Sequence, residues 1–300
     1  MVTGPDVRKS LERCSMRTVD GIHFFAIPRL HAISLAAAVV SAFAGVAPAQ
    51  AEMTDWARNE GGRMRLIAMP PSSDGTVRGA LQIEPNAGWI TYWKEPGDAG
   101  IPPQLLISSN AEVTLNRLDY PVPKRIDSGT LRDIGYDHGV TLPFELSVKD
   151  PATPLKINVS AFVGLCRNIC IPFQADFDLA LAQQVATPVE EALVLAEAEA
   201  KLPEAPSQDF AVTGYALTGN KMLRLNLRLP PEATVPPQVI VTGPQGHAFS
   251  DSQNGHKEGD RYTLDIPIEK LPKGYQLQGK RWGILVIAGD RAMETSLAFN

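Results

Sequence analysis

Cysteine is scarce in this chain, with three in 300 residues: Cys14, Cys166 and Cys170. That excludes a disulfide-stapled miniprotein and any four-cysteine zinc site. Positive charge is not in surplus either. Lys and Arg number 28 against 33 Asp and Glu, a formal net charge of −5, so nucleic acid is not expected as a partner. The nucleophile elbow G-x-S-x-G, the H-E-x-x-H pair, the phosphate-binding loop and the dinucleotide fingerprint are all missing, and the chemistries they carry lose their support. Long hydrophobic runs are rare too. The longest, Ala32–Val46, has about 15 residues, short of the ~20 that a spanning helix needs.

That run has another reading. Arg29 precedes it, and Ala49-Gln50-Ala51 follows as a small-x-small pattern before Glu52. The three parts together predict a secretory signal peptide over residues 1–51, with Met16 as an alternative start. Cleavage removes Cys14 and leaves Cys166 and Cys170 as one pair in an exported, oxidising compartment. The mature chain is then expected to be periplasmic or otherwise exported, soluble and not membrane-spanning.

What is present in quantity is proline, 25, and glycine, 24, in a chain that is 44% hydrophobic and 20% charged. This is a globular composition that favours short strands and turns, with length enough for two cores. Apolar residues alternate in Leu155–Val163 and again in Met222–Leu229, the pattern of strands with one face on a core and one in water. Further strands are predicted at 64–69, 77–84, 89–93, 104–108, 112–118, 140–148, 175–181, 210–217, 238–242, 261–266, 284–288 and 293–299. Turn clusters such as Pro96–Gly100 and Gly243–Gly246 separate them. The fold class is all-β, two β-sandwiches at 58–183 and 207–300.

One segment departs from the alternation. Thr187-Pro188-Val189-Glu190 reads as a capping box with proline at the first helical position, and strong helix formers follow as far as Leu202 and Pro203. Leu193, Ala196, Ala200 and Val189 are expected to share its buried stripe. The segment 184–206 is taken as a helical linker between separable domains, with few contacts crossing it.

The cysteine pair is where chemistry is expected. In one extended strand, residues four apart are separated by about 13 Å, whereas a disulfide tolerates roughly 4.4–6.8 Å between Cα atoms. A bond therefore requires a turn at Arg167-Asn168-Ile169, with Gly164 and Asn168 favouring it. Closing so short a loop stabilises a fold by only about 2 kcal/mol, and strained or exposed short-loop disulfides tend to be the exchange-active ones. Arg167 places a positive charge beside the sulfurs, which favours thiolate. Cys166 ends an apolar run and is expected to be the more buried sulfur, while Cys170 re-emerges beside Ile171-Pro172. A structural disulfide in a binding or scaffold module remains an alternative. So does copper(I) held by the two thiolates, for which His138, His247 or His256 would have to come close in the fold. His247 and His256 read as solvated loop residues, and Asp137-His138 as a surface turn. No cofactor is expected.

Three motifs in order, Gly88-Trp-Ile-Thr-Tyr-Trp93-Lys-Glu-Pro-Gly97-Asp-Ala-Gly100-Ile-Pro-Pro103, Ile134-Gly-Tyr136-Asp-His-Gly-Val-Thr-Leu-Pro143 and Cys166-Arg-Asn-Ile-Cys170-Ile-Pro172, resemble the N-terminal periplasmic domain of the DsbD/ScsB family of thiol:disulfide interchange proteins, the latter branch linked to copper tolerance. The resemblance implies an immunoglobulin-like sandwich over roughly 60–183, and residues 207–300 resemble the second sandwich of the ScsB branch. It further implies a thiol:disulfide oxidoreductase module in which Cys166 and Cys170 relay electrons from a membrane donor of the DsbD/ScsB/CcdA type to oxidised periplasmic proteins. Cys170 would form the mixed disulfide and Cys166 would resolve it. Family members continue into a transmembrane conductor and a thioredoxin-like domain; this chain ends at Asn300 and is expected to act as a free-standing module. The family's cap loop corresponds to Asp127–Tyr136, with Leu131 and Tyr136 as candidate covers and Arg167 and Pro172 as supporting residues.

Overall fold

A computed structural model describes residues 52–299 apart from 98–99, 109–111, 129–130, 182–187, 220, 244–247, 269–270 and 272. The expected signal peptide, Thr187 and His247 lie outside the described residues. Among the described residues the chain is all-β with one helix, an immunoglobulin-like β-sandwich followed by the helix and a second sandwich.

Three sheets build the first sandwich. The largest contains β1 (Glu52–Met53), β2 (Ala57–Asn59), β3 (Gly62–Ala68), β4 (Thr76–Pro85), β7 (Val113–Leu118) and β10 (Val140–Val148), with β1-β3-β4-β10-β7 side by side and β2 on β3. A second runs β12 (Cys170–Leu181), β11 (Leu155–Cys166), β6 (Gln104–Ile107), and a third β5 (Thr91–Gly97), β9 (Leu131–Tyr136), β8 (Lys124–Ser128). Alternation sets the faces. Ile157, Val159, Ala161, Val163 and Leu165 of β11 are buried, as are Val140, Leu142, Phe144, Leu146 and Val148 of β10. These rows meet across one core, each large side chain contributing about 1.5–3 kcal/mol by leaving water.

The second sandwich pairs the sheet β13 (Ala211–Thr218), β14 (Met222–Arg228), β18 (Arg261–Pro267), β17 (Gln253–Glu258) with the sheet β16 (Ala248–Phe249), β15 (Gln238–Thr242), β19 (Lys280–Ala288), β20 (Arg291–Phe299). Leu223, Leu225 and Leu227 with Leu264 and Ile266 beside them line one sheet and share the core with Val241, Val286 and Trp282 of the other. Residues 253–256, expected in a solvated loop, belong to the edge strand β17. Every residue of that strand is exposed and it pairs with β18 through its backbone, so no apolar alternation marks it. The hairpin β8–β9 has no regular alternation either, because Asp133 and Gly135 share β9 with the buried Ile134 and Tyr136.

The helix α1 spans Val189–Glu199, with Pro188 as its cap residue in an extended conformation and no side-chain cap bond. It therefore starts one residue after the expected Pro188. Its buried face is Leu195 and Ala198 rather than the expected stripe: Leu193 and Val189 are 60% and 70% exposed, and Ala196 and Ala200 are exposed too. Alanine and leucine are spread around the whole helix, so the sequence defines no single face, and packing on β10 selects one.

The segment after the helix is tied down. Glu204 N–H donates to the Ala292 carbonyl at 2.8 Å, Glu294 N–H donates to the Glu204 carbonyl at 3.0 Å, and the Glu204 carboxylate receives Arg291. The sheet β16-β15-β19-β20 is also apolar on both faces. Val239, Val241, Ile284 and Val286 serve its own sandwich, while Ile240 and Leu285 are buried in the cluster of the first. The paucity of crossing contacts expected for residues 184–206 is thus not what the chain shows. The division into domains at 58–183 and 207–300 stands as a proposal about folding units.

Candidate functional site

β11 and β12 form one long antiparallel hairpin whose register runs from Leu155 opposite Leu181 to Cys166 opposite Cys170. The strand ends, not a loop beyond them, carry the cysteines. Their Cα atoms are 4.1 Å apart and the sulfurs are bonded. Arg167, Asn168 and Ile169 make the turn, with Arg167 N–H donating to the Ile169 carbonyl at 3.1 Å. Gly164 does not take part in it. It lies within β11, where a Cβ would stand 2.7 Å from Ile101 Cβ, so only glycine lets the 100–103 segment cross so closely over the hairpin.

The two sulfurs have unlike surroundings. Cys166 is 5% exposed, and its backbone is fixed by paired hydrogen bonds with Ile90, at 2.8 and 3.0 Å. Cys170 is exposed, as are Arg167, Asn168, Ile169 and Pro172 around it. Ile169 is the extreme, 68% exposed at the tip. A side-chain hydrogen bond to sulfur comes from the Tyr92 hydroxyl, 3.5 Å from Cys170 Sγ. A disulfide sulfur has no proton, so the phenol is the donor.

β5 places that phenol. Tyr92 stands opposite Gly135 in the β5–β9 pairing, and Thr91 opposite Tyr136. A Cβ at position 135 would lie 2.1 Å from the Thr91 carbonyl oxygen, so glycine is what lets the two strands approach behind the tyrosine. The ring of Tyr92 is buried. Burial first, and the nearby Asp133 carboxylate second, push its hydroxyl well above the ordinary phenol range, which keeps it a neutral donor. Thr91 and Asp133 are themselves buried beside it.

Tyr136, a candidate cover, lies on the opposite face of this sheet from Tyr92 because successive residues alternate. Its hydroxyl donates to the Pro121 carbonyl at 2.8 Å and its ring is core; it is a packing residue. The side chain of Leu131 lies outside the described residues. Arg167 points across Gly88, where a Cβ would be 3.6 Å from its Nε, and Pro172 is opposite Gly164. Tyr92 lies within the motif Gly88–Pro103 but is not among the expected site residues. No sequence signal marks it: the bridge between Ile90 and Cys166, two residues before Tyr92, appears only in the fold.

The histidines are elsewhere. His138 holds Asp137 at the surface, 2.8 Å from its Oδ1, and Lys124 holds the same carboxylate; together they lower Asp137 to about 2. Among the described residues no three His, Cys, Asp or Glu side chains gather as a metal site would require. No helix of the described residues is long and apolar enough to cross a membrane.

Residues 65–182 match the family model described as thiol:disulfide interchange protein DsbD, N-terminal. The chain is also similar to the solved N-terminal periplasmic domain of ScsB from Proteus mirabilis, at 23% identity and a TM-score of 0.66, over 84% of this chain and 100% of that one. At that identity the likeness is one of fold. No curated protein matches the chain in sequence.

Proposed function

We propose, on the premise that residues 65–182 are a DsbD N-terminal domain, that this chain is a thiol–disulfide interchange module working through Cys166 and Cys170. The observation that carries the reading is the asymmetry of the pair: a buried Cys166, and an exposed Cys170 with the Tyr92 phenol on its sulfur.

The steps balance as follows. In the dithiol state the Cys170 thiolate attacks a partner disulfide, forming one S–S bond and breaking another, and the partner's leaving sulfur takes up a proton. Cys166, having given up its proton to solvent, then attacks Cys170 Sγ. The mixed disulfide breaks and the second partner thiol leaves. Two electrons pass to the partner, which ends as a dithiol while Cys166–Cys170 ends as the disulfide. A membrane donor of the DsbD/ScsB/CcdA type then returns two electrons. Tyr92 donates its hydrogen bond to the Cys170 thiolate, which favours the charged form, and Arg167 adds a positive charge nearby. In this reading the clients are oxidised periplasmic proteins and the chain works in the periplasm after loss of residues 1–51.

Cys166→Ser should accumulate a partner adduct through Cys170 in thiol-trapped extracts, because the resolving sulfur is gone, and Cys170→Ser should accumulate none. The reverse pattern exchanges the two roles. No adduct in either variant, together with a reduction potential below about −300 mV, means a structural disulfide instead.

A further inference from the structure

The second sandwich reaches the sheet that carries Tyr92. Tyr92 belongs to the small sheet β5–β9–β8, and each strand of that sheet takes an ion pair from the second sandwich. Lys94 of β5 pairs with Glu294 of β20. Arg125 of β8 meets Asp251 Oδ1 at 2.7 Å, and Arg132 of β9 pairs with Asp251 Oδ2. Among the described residues these are the ion pairs that join the two sandwiches directly, and all of them land on this one sheet.

The sheet needs support. β5 and β9 pair at Thr91–Tyr136 and Tyr92–Gly135, then lose register until Gly97–Asp133. Between Tyr92 and Gly97 no ladder pair holds β5 to β9, so the strand that carries Tyr92 relies there on packing and side-chain contacts. A phenol that must stay at hydrogen-bond distance from a sulfur depends on whatever fixes its strand. Apolar packing adds to the ion pairs, since Ile240 and Leu285 of the second sandwich share a cluster with Trp93, Ile134 and Tyr136. Each partly exposed pair is weak alone, but one carboxylate holding both strands of a hairpin restrains them together.

We infer that the second sandwich tunes the reactivity of Cys170 by clamping β5–β9–β8, with Asp251 as a positioning residue that acts through Tyr92. The inference rests on the exchange reading above and deepens it. The ionisable groups beside Cys170 are the Cys166 thiol opposite it on β11 and Tyr92 from β5, with Asp133 of β9 behind the tyrosine, while Arg167 of the turn lies over Gly88. Asp251 touches none of these.

The test is the pH profile of iodoacetamide alkylation at Cys170 in the reduced mature chain, located by mass spectrometry. Tyr92→Phe should raise the midpoint, because the thiolate loses its donor. Asp251→Ala should raise it in the same direction, with about a threefold drop in the thiolate fraction below the midpoint, equal to half a pKa unit. Asp251→Glu should restore the wild-type profile. In a Tyr92→Phe background, Asp251→Ala should add nothing, because both act through one hydrogen bond. If Asp251→Ala proves unfolded by circular dichroism, Glu294→Gln takes its place with the same expected direction. A wild-type midpoint in Asp251→Ala or Glu294→Gln overturns the inference, as does full additivity with Tyr92→Phe. Failure of the exchange reading looks different: Cys166→Ser traps no partner while the alkylation profiles still shift.

Discussion

Replacing Leu285 by alanine measures how far the two sandwiches depend on one another. Leu285 sits in β19, fully buried, in the cluster it shares with the first sandwich. The substitution removes three carbons, about 2.4 kcal/mol at ~0.8 per methylene, and the cavity left behind raises the cost toward the upper part of the usual ~2–5 kcal/mol range. We expect about 3–4 kcal/mol. At a urea m-value of ~2–3 kcal/mol/M the unfolding midpoint should fall by roughly 1–2 M. Trp93 and Trp282 are both buried, one in each sandwich, so fluorescence of single-tryptophan variants follows each separately. Leu225→Ala, in the second sandwich's own core, is the comparison. A shared core requires that Leu285→Ala lower the Trp93-reported transition as well as the Trp282-reported one. A loss under about 1 kcal/mol, or a shift confined to Trp282, would refute the shared core and favour two independent folding units.

Other expectations follow from the same contacts. Gly164→Val drives a side chain into Ile101, whose Cβ is already 2.7 Å from the position a Cβ would take; a destabilisation of about 1–3 kcal/mol in thermal melts is expected, and an unchanged melting temperature counts against the close crossing. Tyr92, Tyr120 and Tyr136 are all raised by burial above the ordinary phenol value. Because the folded values exceed an unfolded value near ~10, the stability they contribute is full below that pH and is lost as pH rises beyond it. Absorbance titration at 295 nm should therefore show these tyrosines ionising only with unfolding, and native ionisation of all the tyrosines by about pH 11 would contradict this. N-terminal sequencing of exported protein should begin at Glu52; a start elsewhere rejects the cleavage pattern.

The sandwich strands were legible because one face of each meets a core. Leu155–Val163 and Met222–Leu229 alternate for that reason, and both became strands with the expected faces. β17 was not legible, since a strand made of exposed residues is held by backbone pairing that leaves no apolar trace; in β9 the buried Ile134 and Tyr136 are interrupted by Asp133 and Gly135, too short a pattern to mark a strand. The run Ile284-Leu285-Val286-Ile287 held a signal of another kind. Continuous apolar residues in a strand mean burial on both faces, which is how β19 serves two cores. At the site, the unequal burial of Cys166 and Cys170 followed from where the apolar run ends. Tyr92 did not, because which aromatic of Gly88–Trp93 meets the sulfur depends on the register of β5 against β9.

The hairpin register bears on the dithiol state as well. Cys166 and Cys170 are held opposite each other by a ladder of twelve residue pairs that does not rely on the sulfur–sulfur bond. Reduction should therefore leave the two thiols facing one another, each presenting the other with a high effective molarity. A partner captured on Cys170 would meet its competitor already in place, so release should outpace diffusion of any external thiol and the mixed disulfide should be short-lived unless Cys166 is removed.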